Sequence, residues 1–315
     1  MIEVRDLCKN YGPLKAIDRL NFTVRKGEVV GFLGPNGAGK STTMKIITGF
    51  MAPTSGSASV AGFDVFENPL EVKKRIGYLP ETPPVYGDMY VKDYLTYVAR
   101  LKQVPKNSVQ RLVARAIEKT NLGEVQNRLI QHLSKGFRQR VGIAQAIVSD
   151  PEVLILDEPT VGLDPHQMHE IRELIRELRG QHTIIISTHI LPEVQVTCEK
   201  VIIINRGKIV AEDSIANLST LEKGQSRIFV RLRREVQDLH KIIADIDGVL
   251  NVNGGVTQKE WKIDVRGSED TVEAISARLV NQGLGLVELS PQKVDLEDVF
   301  VRLTYGTQNT EGASL

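Results

Sequence analysis

Eight consecutive residues constrain this chain more than any other feature: Gly34-Pro35-Asn36-Gly37-Ala38-Gly39-Lys40-Ser41 fits G-x-x-x-x-G-K-[S/T] without a gap. Glycines at those positions let the backbone curl so that its N–H groups face phosphate oxygens. A helix expected from about Gly39 to Thr48 would aim its positive end at the same anion. Just upstream, Val29 to Leu33 is an unbroken apolar run, as in a strand buried on both faces. In that strand–loop–helix setting Lys40 reaches the β- and γ-phosphates of a nucleotide, Ser41 ligates Mg²⁺, and Thr42 completes the cradle. The bland alternative, a glycine-rich turn with an incidental lysine, needs neither the strand nor the helix.

Val153 to Leu156 repeats the buried-strand pattern and ends in two acids, Asp157 and Glu158. A strand that delivers Asp157 to the edge of the sheet places it to hold Mg²⁺. Glu158 beside it is placed to act as general base on an attacking water. Two acids closing a strand could also be an ordinary solvated terminus, and the phosphate loop upstream favours the chemical reading.

Strands return at Thr183 to Ser187 and Val201 to Asn205, and an amphipathic helix from about His166 to Arg179 is ended by Gly180. Strands alternating with helices predict a largely parallel sheet covered on both faces. Thr54 to Ala61 suggests an edge hairpin before Gly62. From Val91 to Ser149 helical periodicity takes over. Tyr94, Tyr97, Val98 and Leu101 fall on one face, and further helices are expected over Val109 to Thr120 and Ser134 to Ser149. A linker is expected over about Ser219 to Ser226, and the pattern then resets. Ile228, Val230 and Leu232 alternate as in a strand, and Val236, Leu239, Ile242, Ile243 and Ile246 form a helical stripe. Trp261, Ile263 and Val265 alternate again, Ser268 could cap a helix carrying Val272, Ile275 and Leu279, and Leu286 to Leu289 offers a last strand. The order is β-α-β-β-α-β, a ferredoxin-like arrangement. The expected division is a nucleotide-binding domain over 1–220, with a helical subdomain over about 82–150, then an accessory α+β domain over 227–304. A polar tail follows over 305–315, where a fixed fold is not expected.

The 40 Lys and Arg against 39 Asp and Glu leave a net charge of +1, which gives no broad pull toward nucleic acid or anionic lipid. Cys8 and Cys198 are far apart, match no metal spacing, and read as reduced thiols. The start of the chain lacks a signal-peptide pattern. Its apolar runs are much shorter than the roughly 20 residues of a membrane helix, so if a membrane is involved another chain must cross it.

Between the phosphate loop and the two acids lies Leu133-Ser134-Lys135-Gly136-Phe137-Arg138-Gln139-Arg140, which resembles the signature segment of ABC ATPases. After Glu158, Gly162-Leu163-Asp164-Pro165 is similar to the family's D-loop and Ser187-Thr188-His189 to its switch histidine. The resemblance spans about residues 1–220 and implies a P-loop NTPase core, an α/β fold, that binds and hydrolyses ATP with Mg²⁺. It implies that Ser134 and the N–H groups near Gly136 cap the γ-phosphate held by a second copy in a head-to-tail dimer. Asp164 would then lie at the dimer seam, His189 would contact γ-phosphate and position water, and Tyr11 would stack on adenine. Ser134 is also a plausible helix N-cap, a role compatible with the first.

Three positions depart from the usual family pattern. Glu81, in Ile76-Gly77-Tyr78-Leu79-Pro80-Glu81, stands where the family has Gln; it can still ligate Mg²⁺ but adds a charge. Lys135 and Phe137 replace a glycine and a glutamine of the signature. These departures, with Leu296-Glu297-Asp298-Val299-Phe300, resemble a branch of bacterial ABC-2 and gliding-motility-type exporter ATPases. That resemblance implies an integral membrane permease as partner, contacted near Glu81 to Tyr90, and a peripheral place on the cytoplasmic face of the inner membrane, in export. A non-transport ABC ATPase acting on nucleic acid or ribosomes is the alternative. Against it stand the single ATPase core, the lack of a long coiled coil between motifs and the balanced charge, and no nucleic-acid partner is expected. A nucleotide-gated scaffold with little hydrolysis is a third reading, and the presence of Glu158 argues against it.

Overall fold

The computed structural model describes residues 1–218, 225–254, 258–266 and 269–292, together with Phe300 and Thr304. It divides into two units, Met1–Ile215 and Ala216–Leu315.

The first unit opens with β1 (Ile2–Tyr11) and β2 (Leu14–Val24), an antiparallel hairpin turned at Gly12, whose φ of +58° suits glycine. β3 (Val29–Leu33) leads into α1 (Lys40–Ile47). β4 (Ser55–Val60) pairs with β1 on one side and with the short β5 (Phe63–Asp64) on the other, giving an antiparallel sheet of order β2-β1-β4-β5. The expected edge hairpin within Thr54 to Ala61 is therefore a single inner strand. The turn comes after it, at Ala61-Gly62, where both residues have positive φ.

α2 (Pro69–Arg75) runs straight into β6 (Ile76–Leu79). Three helices follow, α3 (Val91–Leu101), α4 (Lys106–Lys119) and α5 (Lys135–Ile147). On α3 the buried stripe is Val91, Tyr94, Leu95 and Val98, while Tyr97 is 42% and Leu101 66% exposed. The face expected from Tyr94, Tyr97, Val98 and Leu101 is thus rotated. Val91 and Leu95 pack against the helical core and take the inner positions.

β7 (Val153–Asp157), α6 (Pro165–Leu178), β8 (Thr183–Thr188), α7 (Leu191–Thr197), β9 (Lys200–Asn205) and β10 (Lys208–Ser214) complete the unit, and a single turn, α8 (Ile215–Leu218), follows. The second sheet has order β10-β9-β3-β8-β7-β6, parallel throughout except for the β9–β10 hairpin. Alternation along its strands explains why they read as unbroken apolar runs. Leu154, Leu156, Ile184 and Ile186 join the core shared with α3 to α6. Val153, Ile155, Ile185, Val30 and Phe32 join the core shared with α1 and the antiparallel sheet. Both faces are covered, so both parities are apolar along the middle of the strands. Full burial of each such side chain stabilises the fold by about 1.5–3 kcal/mol. Because β3, β7 and β8 are parallel, their C-terminal ends emerge at one edge, with Leu33 beside Thr188 and Asp157 beside Ser187.

The second unit contains β11 (Gln225–Leu232), α9 (His240–Ile243), β12 (Val249–Gly254), β13 (Glu260–Arg266), α10 (Glu269–Asn281) and β14 (Leu286–Gln292). Its antiparallel sheet has order β12-β13-β11-β14. Ile228, Val230, Leu232, Trp261, Ile263, Val265, Ile275 and Leu279 form its core. The stripe from Val236 to Ile246 is helical only over His240–Ile243, although Val236 and Leu239 are buried with it. Ser268, Leu296 to Val299, the 305–315 tail and residues 219–224 of the expected linker lie outside the described residues.

Candidate functional site

The turn from β3 into α1 builds the floor of the site. Gly34 N–H donates to Thr188 O at 3.3 Å, tying the loop to β8, and a Cβ at Gly34 would lie 2.3 Å from Ile204 O, so no larger residue fits. Pro35 O accepts from Ala38 N–H at 3.2 Å, which closes the loop on itself. Gly39 stands at φ +108° and caps α1 with no side-chain hydrogen bond, and the first turn of α1 holds no acid. The first N–H groups of that helix therefore remain available to an anion.

Lys40 is 6% exposed, and its ammonium donates to Gly34 O at 2.8 Å and Pro35 O at 3.3 Å. It also lies 3.5 Å from Glu158 Oε1. His189 Nδ1 faces the same carboxylate at 3.0 and 3.1 Å. Glu158 sits in the left-handed region at φ +49°, held by its N–H donating to Ser187 O at 2.8 Å. A non-glycine residue in that conformation stores strain of the kind that clusters at functional sites.

Asp157, one residue earlier, has a different setting. It is 2% exposed, and its Oδ1 has no hydrogen-bond partner. Burial pushes its carboxyl above the usual range. The Ser187 and Ser41 hydroxyls act in the opposite direction, and the charges of Glu158 and Glu81 add to the rise. A buried carboxylate oxygen without a donor, beside a serine hydroxyl, suits a hard cation with oxygen ligands. Among the described residues no group of three or more His, Cys, Asp and Glu side chains could hold a metal by itself. An ion at Asp157 and Ser41 would thus need other ligands, such as phosphate oxygens and water.

A cavity of about 480 Å³ opens over this floor. Tyr11, Asn36, Gly37, Gly39, Lys40, Ser41 and Thr42 line it, together with Glu81, Glu158 and His189. Tyr11 is 44% exposed, and its hydroxyl donates to Met51 Sδ at 3.0 Å. Leu14, Ala16 and Val161 also line the cavity and were not singled out from the sequence. Leu14 and Ala16 follow Tyr11 across the β1–β2 turn, so the hairpin containing Tyr11 was their signal.

Ser134, Gly136 and Asp164 are not among the cavity residues. Ser134 is the N-cap of α5, its hydroxyl accepting from Phe137 N–H at 3.3 Å. Asp164 is the N-cap of α6, accepting from Gln167 N–H at 2.9 Å. The two caps lie on linked segments. Gln139 of α5 donates to Pro159 O at 2.8 Å, and the Gly136 backbone packs against the Gln167 side chain. Both caps are exposed.

The sequence reading missed Glu193 on α7. It is 4% exposed and accepts hydrogen bonds from Thr160 Oγ1 and, at 2.8 Å, from Thr188 Oγ1. Its faint signal is an acid set between Leu191 and Val194, on the buried side of a short helix.

Comparison with known proteins gives a consistent result. A family profile described as ABC transporter matches residues 17–161. The bacitracin transport ATP-binding protein of Bacillus licheniformis is 32% identical over 97% of this chain and 98% of its own length. The lantibiotic transport ATP-binding protein of Streptococcus pyogenes is 37% identical over 71% of this chain and 95% of its own. Among solved structures, an ATP-binding subunit of an ABC transporter superposes with a TM-score of 0.66 at 30% identity, covering 71% of this chain and 93% of that one. A dimeric ATP-binding cassette bound to ADP and Pi shares the fold, with a TM-score of 0.63 at 22% identity over 68% of this chain and 99% of that one.

Proposed function

Because the chain belongs to the ABC transporter family, as one of its ATP-binding subunits, we propose that its ATPase site is the Lys40–Glu158–His189 constellation and that two copies close over two ATP molecules. The observation that carries this reading is the meeting of those three side chains over the phosphate loop, at 3.5 Å and 3.0 Å. Lys40 binds the β- and γ-phosphates by giving up the Gly34 and Pro35 carbonyls. Glu158 accepts the proton of the attacking water, and His189, fixed on the same carboxylate, positions that water beside the γ-phosphate. Tyr11, a part-exposed residue of the cavity lining, offers its ring to adenine.

Asp157 and Ser41 would hold Mg²⁺, with Glu81 close by; the buried, unpaired Oδ1 of Asp157 is what supports this assignment. When bound, the ion would neutralise charge on the β- and γ-phosphate oxygens.

The dimer is supported by what each copy holds apart. The capped N-terminus of α5 at Ser134 is exposed and absent from the copy's own cavity, so it is free to meet a phosphate bound by another copy. Domain limits of 1–220 and 227–304 are part of the same reading. Among the described residues no helix is long and apolar enough to cross a membrane. A separate permease is the proposed mechanical partner. Its docking surface is the exposed aromatic group Tyr86 and Tyr97, whose rings lie 5.9 Å apart, with Tyr90 nearby in sequence. Export at the cytoplasmic face of a bacterial membrane follows from the exporter-like departures at Glu81, Lys135 and Phe137.

Glu158→Gln tests the site and the clamp together. Turnover should fall by about 10²-fold or more, and the variant should elute as a dimer with ATP and Mg²⁺. Unchanged hydrolysis refutes the general base, and a monomer under those conditions refutes the clamp.

A further inference from the structure

Glu193 is a buried acid outside the Lys40–Glu158–His189 constellation. Its carboxylate sits between two hydroxyls, each next to a residue of the ATPase site. Thr160 lies two positions after Glu158 and donates through Oγ1 to Glu193 Oε1. Thr188 immediately precedes His189 and donates through Oγ1 to Glu193 Oε2 at 2.8 Å. The three side chains are 3%, 0% and 4% exposed for Thr160, Thr188 and Glu193. Arg172 of α6 brings an Nη2 to 4.0 Å from Oε1. Thr188 is further fixed on both sides. Its hydroxyl accepts from Ile190 N–H at 3.1 Å, and its carbonyl accepts from Gly34 N–H at 3.3 Å. Glu158 and Thr160 lie within one tight turn, since Val161 N–H donates back to Glu158 O at 3.2 Å.

We propose that Glu193 is a positioning residue for ATP hydrolysis, clamping the turn that carries Glu158 to the strand end that carries His189. This rests on the roles assigned above to Glu158 and His189. Besides this clamp, the two groups are tied by their own contact, by the Glu158–Ser187 backbone bond and by the β7–β8 pairing, none of which fixes the turn beyond Glu158. Misplacement of about 1 Å in a group that orients a nucleophile is enough to lower turnover by orders of magnitude. The hydrogen-bond and ion-pair partners of the Glu193 carboxylate among the described residues are Thr160, Thr188 and Arg172, none of them in the phosphate loop, so nucleotide affinity and turnover should separate.

The test uses the full chain and four variants: Glu193→Gln, Thr188→Val, the double variant, and Glu158→Gln as reference. These nearly keep side-chain volume, so they avoid the cavity and the loss of both acceptors that Glu193→Ala would bring. Glu193→Gln leaves one hydroxyl without its acceptor and is expected to lower kcat about tenfold or more. The ATP dissociation constant, read by calorimetry, should stay within about twofold. Thr188→Val should lower kcat similarly, and the double variant should fall no further than the worse single one, because one linkage is broken once. A kcat within twofold of the parent in Glu193→Gln overturns the proposal. So does a loss in which ATP binding, melting temperature and kcat fall together, or one in which the two substitutions multiply. If Glu158→Gln retains turnover, the reading of the site itself has failed. If Glu158→Gln is inactive and Glu193→Gln is not, only the clamp has.

Discussion

Lys40 Nζ and Glu158 Oε1 lie 3.5 Å apart and both side chains are almost fully buried, so each offsets the charge of the other. Removing one partner of such a pair leaves the other uncompensated. Lys40→Ala should therefore weaken ATP binding by about 100-fold or more, since the phosphates lose their ammonium and face an unneutralised Glu158 carboxylate. Calorimetry with a non-hydrolysable analogue gives the affinity directly, and an unchanged dissociation constant would remove Lys40 from the site.

Asp157 carries a pH prediction. Burial raises its carboxyl above the ordinary range, so between the unfolded and the folded pKa the native state holds more protons than the unfolded chain. Stability of the nucleotide-free protein then falls as pH rises through that window, and the full penalty is present above it. Asp157→Asn should raise the melting temperature near neutral pH, by about 2–4 °C for each 1 kcal/mol in a unit of this size, while hydrolysis is lost. The gain should shrink on acidification, as Asp157 takes up its proton. Differential scanning calorimetry at neutral and at acidic pH checks it; a gain that grows on acidification has the wrong sign.

Ser134 separates capping from phosphate contact. Its hydroxyl caps α5, and an aspartate caps a helix as well as serine does. Ser134→Asp should leave the melting temperature within about 2 °C of the parent. The added negative charge should abolish the ATP-dependent dimer of the Glu158→Gln protein. Sizing of that double variant with ATP and Mg²⁺ decides the matter: a persistent dimer places Ser134 away from the partner's nucleotide.

Tyr11 tests the aromatic contact. Tyr11→Ala should weaken ATP binding by about twofold to tenfold, the range of a single aromatic contact of about 0.5–1.5 kcal/mol. Tyr11→Phe, which keeps the ring and loses only the Met51 contact, should bind as the parent does. Equal loss in both variants would point to the hydroxyl instead of the ring.

How much of this was legible in the sequence depended on how local each signal is. The phosphate loop is eight adjacent residues, and Asp157-Glu158 closes one apolar strand, so order and spacing sufficed to bring them to one sheet edge. The two-sided core could be read for the same reason, because unbroken apolar runs fit only strands covered on both faces. The buried stripe of α3 was misphased, since Tyr97 and Leu101 satisfy a helical period as well as Val91 and Leu95 do. Only the neighbouring helices decide which set turns inward. Val236 to Ile246 has helical spacing, yet its core contacts are met with a single helical turn. Glu193 was only faintly marked, because its meaning lies in Thr160, which comes 33 residues earlier and meets it only in the folded chain.

Asp157 and Glu158 are consecutive carboxylates with unlike company. The first has serine hydroxyls and a bare oxygen, and the second has an ammonium and an imidazole. A single left-handed bend at Glu158 gives the chain this division of labour within one peptide link. Exchange of either acid for its shorter or longer homologue would thus part that carboxylate from its own partners, because its reach was set against this fold in the backbone.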